Sequence, residues 1–271
     1  MVAAAANVRR VSERKALGEI SQMNVLGIDI GGSAVKGAPV DTKTGKLLGD
    51  RYRIATPKKI SPKELAKIVA KIAAHFQWKG PIGLGFPGVI RGATPTTSAN
   101  LDKRFIGCDL AKLVSKATGS RVSVVNDADA AGIAEMRFGA GRKQNGTVIL
   151  LTLGTGVGSA LFYRGVLFPN SELGHFPLKG RDAEKYMAAS VKEKEGLSWH
   201  KWGKRLSQYL QIVETILEPE LIIIGGGVSA DSDKYFKYLK TRVPVVPAQA
   251  KNQAGIVGAA LWAAGESPDA R

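Results

Sequence analysis

Short, largely apolar runs punctuate this chain at residues 25–30 (interrupted by Asp29), 82–86, 122–125, 147–153 and 221–224. Runs of this length, rich in Val, Ile and Leu and bounded by turn residues, read as strands with both faces buried. Three of them end in glycine: Gly31-Gly32-Ser33, Gly154-Thr155-Gly156 and Gly225-Gly226-Gly227. Strand patterns at 34–40 and 159–163 return from the first two turns, so the same hairpin unit is used twice. A further strand pattern covers 47–54 and is flanked by arginines, as at a sheet edge.

Helical spacing fills the intervals. Ser61-Pro62-Lys63-Glu64 is a capping box with proline at the first helical position, and Leu65, Ile68, Val69, Ile72, Ala73 and Phe76 follow on one face. Helices are expected over 109–118, closed by Gly119, over an alanine-rich stretch after Asp127, over 183–195 and 197–217, and over 254–264. Residues 91–100, 139–146 and 169–175 read as connections or helix starts. Strands alternating with helices define an α/β protein.

The run 122–125 ends on Asn126-Asp127, where a helix begins. A carboxylate there has two readings. It caps the helix, or it acts on a ligand, because open α/β sheets bind at the carboxyl ends of their strands. The glycine turns bear on the choice. Glycine lets a ligand approach the main chain, and successive amides in such a turn form a concavity for anions. Ser33 and Thr155 add hydroxyl donors. None of the turns has the spacing of a Walker A loop or of a dinucleotide fingerprint.

Composition narrows the class. Among 271 residues there is one cysteine, Cys108, which rules out a disulfide framework or a multi-cysteine zinc site and suits the cytoplasm. No apolar stretch is long enough to span a membrane. The formal charge of +16 favours polyanionic partners such as nucleic acid, an anionic membrane or a phosphate polymer, or else reflects a solvated lysine-rich surface. Residues 1–22 form a basic tail too short for a DNA-recognition helix with its support.

Four stretches resemble the sugar kinases of the ROK family, within the actin-like ATPase superfamily: residues 29–37, Asn126-Asp127, residues 153–158 and residues 172–175. Residues 100–105 and the Trp199–Trp202 region are similar to the polyphosphate-using branch of that family. The resemblance implies a duplicated, actin-like (ribonuclease H-like) α/β fold of two domains with an interdomain cleft. It implies domains at 23–136 with 254–271, and at 137–253.

It further implies transfer of a phosphoryl group from polyphosphate or ATP to the 6-hydroxyl of glucose, and of mannose as a further acceptor. Asp127 falls on the catalytic base. Asn100, Asn126, Glu172 and His175 are similar to sugar ligands, with Glu184 a further one. Gly31, Gly32, Ser33, Lys36, Gly154, Thr155 and Gly156 would hold the donor phosphates, and Gly225, Gly226 and Gly227 the nucleoside. Asp29 would lie near Mg2+, through water. Lys36, Lys103, Arg104, Lys179 and Arg181 flank these motifs and are candidates for polyphosphate contact.

Many relatives carry a cysteine-rich zinc motif after the position of His175. Residues 176–183 lack cysteine, so no zinc is expected. No nucleic acid or membrane partner is expected, and the chain would act as a monomer or homodimer. The alternatives are an ATP-only glucokinase, a sugar-responsive DNA-binding repressor on the same core, and a polyphosphate-binding protein without activity.

Overall fold

In a computed structural model the chain is described over residues 24–98 and 101–265. It divides into two compact units, one ending at Val125 and taking in residues from Ala259 onward, the other running from Asn126 to Gly258.

The first unit is built on a six-stranded sheet. Strand β1 (Asn24–Ile30) turns through Gly31-Gly32-Ser33 into β2 (Ala34–Asp41), antiparallel to it. Two short strands, β3 (Lys46–Leu47) and β4 (Tyr52–Ala55), both pair antiparallel with β2. The single strand expected over 47–54 is thus two, because the chain leaves the sheet between Leu48 and Arg51. On the other side β5 (Ile82–Phe86) runs parallel to β1, and β6 (Val122–Asn126) completes the order β3-β2-β1-β5-β6. The segment expected as a loop at 91–100 carries a small hairpin, Ile90–Arg91 with Thr94–Pro95.

Helix α1 (Pro62–His75) starts as its sequence dictates. The Ser61 hydroxyl accepts the Glu64 N–H, and the Glu64 carboxylate accepts the Ser61 N–H. Helix α2 (Leu110–Thr118) is capped by Asp109 and ends on Gly119 at φ 72°. Their apolar faces join the sheet in one core that includes Ile28, Leu65, Ile72, Leu84 and Val114.

The second unit repeats the plan. Strand β7 (Thr147–Leu153) turns through Gly154-Thr155-Gly156 into antiparallel β8 (Val157–Tyr163), which pairs with β9 (Val166–Phe168). On the far side β10 (Leu221–Gly225) runs parallel to β7, and β11 (Val245–Pro247) runs parallel to β10. The short β11 had no apolar run long enough to announce it. Helix α3 (Asp127–Phe138) and helix α4 (Trp199–Leu217) belong to this unit. The stretch 183–195 is two short helices rather than one, Glu184–Met187 and Ala189–Lys194, broken by extended backbone at Ala188 (ψ 156°). Trp202 fills the break from α4, donating its indole N–H to the Met187 carbonyl at 2.9 Å.

The division into compact units lies at residue 125, and α3 opens the second of them. Its packing gives the reason. A Cβ on Gly132 would lie 2.7 Å from Ala160 Cβ and from the Phe162 ring, so the helix sits directly on β8. Closer still is the last helix, α5 (Ala254–Ala263): a Cβ on Gly258 would stand 1.6 Å from the Ala130 carbonyl oxygen. That neighbour is main chain and cannot swing aside. Overpacking of this kind costs about 1–3 kcal/mol. At about 2–4 °C per kcal/mol, Gly258→Ala is expected to lower the Tm by several degrees in a thermal melt. An unchanged Tm would show that the two backbones are not in contact.

Candidate active site

The first turn of α3 is organised by two buried side chains. Asn126, not Asp127, is the cap: its Oδ1 accepts the N–H groups of Ala128 (2.8 Å) and Asp129 (2.9 Å). Those are among the amides that a helix start leaves without internal partners. Asp127 follows at the first helical position, half-buried, with Oδ1 2.9 Å from the Ala128 N–H. The capping reading of Asp127 therefore gives way, because its neighbour already holds that place. The same geometry commits Asn126 Oδ1 to the backbone.

The β7–β8 turn lies against this helix start. A Cβ on Gly158 would meet Ala128 Cβ at 2.9 Å, so glycine there lets the hairpin and the helix approach. Beside the turn stands Glu184, whose Oε2 accepts the Val157 N–H at 3.3 Å. Glu172 and His175 bracket a 3-10 turn, Leu173–His175, with His175 Nε2 3.5 Å from Glu172 Oε2. Burial raises the Glu172 carboxyl above its ordinary range, Glu184 adds to this, and His175 opposes it. Asn126, Asp127, Glu172, His175, Glu184 and the second glycine turn thus all belong to one unit.

The glycines are not equivalent. Gly226 is compelled: its φ is 81°, and a Cβ would stand 2.3 Å from the Leu153 carbonyl oxygen. Gly154 and Gly227 have ordinary backbone angles, and a Cβ on either would meet nothing within 4 Å. Neither packing nor conformation accounts for glycine there. Glycine there leaves the main chain open to approach from in front.

In the first unit, β1 and β2 set Asp29 opposite Lys36, and Lys36 Nζ lies 3.3 Å from Asp29 Oδ2. The Gly31 N–H donates to the Ala34 carbonyl at 3.0 Å and closes the turn of Gly31, Gly32 and Ser33. Each of the two hairpin turns is also held from outside its hairpin by a hydroxyl. Thr56 donates to the Gly31 carbonyl at 2.7 Å, and Ser190 to the Thr155 carbonyl at 2.6 Å. Neither residue stands out in the sequence, since each lies far along the chain from the turn it holds. Asn100 lies outside the described residues.

The basic candidates fare unevenly. Arg104 is engaged by the Asp102 carboxylate through Nε (2.9 Å) and Nη2 (3.0 Å). Lys179 and Arg181 stand over the Tyr186 ring, as does Arg205. Among the described residues one cluster could offer ligand atoms to a metal: His175, Asp182 and Glu184, with atoms within 4.8 Å of one another. Lys185 Nζ already sits 3.0 Å from Asp182 and supplies the positive charge there.

One residue of the site was not anticipated. Asp129, 1% exposed, lies on the same first turn as Asp127. Burial is the main cause that raises its pKa from 3.8 to about 7; Glu172 and Asp127 push the same way, and the hydrogen bond from Asn170 opposes them.

The chain belongs to the ROK family, whose profile matches residues 25–189. It is 45% identical over 245 residues to the polyphosphate glucokinase of Mycobacterium tuberculosis, a match covering 90% of this chain and 92% of that protein. The crystal structure of the inorganic polyphosphate/ATP-glucomannokinase from Arthrobacter sp. strain KM superimposes with a TM-score of 0.86 at 44% identity, covering 90% of this chain and 99% of that one. A ROK family glucokinase from Streptomyces griseus, solved with glucose and AMPPNP, shares the fold at TM-score 0.76 and 23% identity, over 89% of this chain and 99% of that one. The fold is the duplicated α/β fold of the actin-like ATPases.

Two outcomes follow. Asn126→Ala should cost about 0.5–2 kcal/mol by removing the cap, and Asn126→Asp, which keeps the acceptor, should cost less. Equal losses of Tm would refute the capping role. For Asp129, the folded-state pKa lies above the unfolded value, so the native protein holds a proton that the unfolded chain releases. The resulting penalty is absent below about pH 4, grows up to about pH 7 and is complete above it. Asp129→Asn removes it, so in urea unfolding the stability of the variant relative to wild type should rise between pH 5 and pH 8. A constant difference would mean that the carboxyl is not buried in this way.

Proposed function

We propose that this chain is a hexose kinase that transfers a phosphoryl group from inorganic polyphosphate or ATP to the 6-hydroxyl of glucose, with mannose as a further acceptor and Asp127 as general base. The observation that carries the reading is the placement of Asp127. It opens a helix that another residue caps, in the same unit as two further carboxylates and a glycine turn, in a chain 45% identical to a polyphosphate glucokinase.

In this reading Asn100, Asn126, Glu172, His175 and Glu184 bind the sugar hydroxyls and fix the nucleophile. Carboxylate, amide and imidazole groups are apt partners for hydroxyls, and orientation supplies much of the rate. Asn126 would use Nδ2, since its Oδ1 serves the cap. Asp127 accepts the proton of the 6-hydroxyl as that oxygen bonds to phosphorus. The bond from phosphorus to the bridging oxygen of the donor breaks, and the shortened polyphosphate or ADP leaves with the electron pair. The amides around Gly31, Gly32 and Ser33 and around Gly154, Thr155 and Gly156, with Lys36, stabilise charge on the transferring group. Gly225, Gly226 and Gly227 would hold the nucleoside of ATP.

A magnesium ion fits Asp29. Magnesium is commonly held by one or two carboxylates, with donor phosphates and water completing its shell, and Asp29 is a partly exposed carboxylate just before a glycine turn. Bound there with the donor, it would neutralise developing charge on the phosphates. No zinc is invoked. Among the described residues no helix is long and apolar enough to cross a membrane, and the reading involves neither membrane nor nucleic acid.

The test is formation of hexose 6-phosphate by the purified protein, with ATP and polyphosphate each as sole donor. Asp127→Asn should lose about 10²–10⁴ in turnover with either donor, while glucose still binds in a calorimetric titration. A variant close to the wild-type rate would remove the aspartate from the mechanism. Absence of product from wild type with both donors would remove the kinase.

A further inference from the structure

Asp129 has no part in the steps above, and its burial keeps it from touching a substrate. Its contacts lead to a group that does. Asp129 Oδ2 accepts the Asn170 N–H at 2.8 Å. Its Oδ1 is buried without a hydrogen-bond partner among the described residues. Asn170 adopts φ 60°, the left-handed region that asparagine tolerates better than most residues. The next residues are pinned from β8: the buried Ser159 hydroxyl donates to the Ser171 carbonyl at 2.6 Å and accepts the Leu173 N–H at 3.0 Å. The Tyr209 hydroxyl donates to the Leu173 carbonyl at 3.3 Å. Glu172 is the residue enclosed by these anchors.

We propose that Asp129 is a positioning residue for the hexose: it anchors the Asn170 amide, and so holds Glu172, two residues on, in its sugar-binding orientation. This rests on the hexose-kinase reading. Three features favour the uncharged form of Asp129. A buried carboxylate with one oxygen unpaired is costly. The charged groups acting on Asp129 are Glu172 from the anchored segment and Asp127 from its own helix, and both are negative. The one hydrogen bond it accepts comes from a neutral amide. Ionisation of Asp129 puts a further negative charge beside Asp127 and Glu172, and repulsion acts on the Glu172 carboxylate that Asp129 helps to place. Glucose affinity should therefore fall as pH rises through about 7.

The experiment compares wild type, Asp129→Asn and Asp129→Ala by donor-free glucose titration at pH 6, 7 and 8.5, with turnover measured at saturating glucose. Asparagine keeps the shape and an acceptor for the Asn170 amide but cannot ionise. It should bind glucose as wild type does at pH 6 and lose less affinity by pH 8.5. Alanine leaves the amide without its partner and should weaken glucose binding about tenfold, more than it lowers turnover. The proposal fails if the asparagine variant is weakened as much as the alanine one at pH 6, or if its pH profile runs parallel to that of wild type. It also fails if the alanine variant binds like wild type. Should the alanine variant not fold, the asparagine profile alone decides. A wild-type protein that binds no glucose at any pH would overturn the hexose-kinase reading and this inference with it, whereas wild-type binding with parallel profiles overturns this inference alone.

Discussion

The start of α3 is the constraint on which the rest of the site depends. A helix that begins directly at the end of a strand leaves its first amides without partners, and here one buried oxygen, Asn126 Oδ1, takes two of them. Asp127 follows at the first helical position, half-buried, with its Oδ1 beside the Ala128 N–H. Gly158 then lets the β7–β8 hairpin come up to Ala128. A side chain at that position would push the glycine turn away from the carboxylate it accompanies.

Duplication explains the form of the turns better than any one turn does. Each unit has a strand, a glycine turn and a returning strand, with a parallel strand beside the first. Each turn has one carbonyl held by a hydroxyl from elsewhere, Thr56 in one unit and Ser190 in the other. A turn built only of glycine and small residues would be soft, because glycine loses more conformational freedom on ordering than any other residue. The external hydroxyl stiffens it without filling the space in front of it, as the open surroundings of Gly154 illustrate.

Much of this was legible in the sequence because it is local. The capping box at Ser61, the closing Gly119 and the three apolar strands ending in glycine each follow from neighbouring residues, and the structure has them where the pattern puts them. What was misread depends on distant contacts. The break at Ala188 is satisfied by Trp202, which bonds to Met187 from 15 residues along the chain. Asp129 gave no signal because its partner, Asn170, lies 41 residues away. In the sequence it is one more polar residue in an alanine-rich helix start. Of the site residues themselves, Asp127, Glu172, His175 and Glu184 fall within one unit, but the spacing of the letters could not say that Asn126 spends its oxygen on the backbone.

The clustering of acids raises a question of balance. In the proposed reaction Asp127 accepts a proton and so has to be ionised, and Glu172, Glu184 and Asp129 all lie in the same unit. Like charges held close together oppose one another's ionisation. Glu172 is already pushed toward its neutral form by burial and by Glu184, with His175 as the compensating partner. A fourth ionised carboxyl on the first turn of α3 would fall hardest on Asp127, its neighbour on the helix. Burial of Asp129 removes that charge over the acid half of the neutral range, where its pKa of about 7 keeps it largely protonated. The helix start therefore carries one half-buried acid, the proposed base, and conceals a second that serves as a hydrogen-bond acceptor. Two aspartates of the same chemical type, two residues apart, are driven to different roles by solvent access.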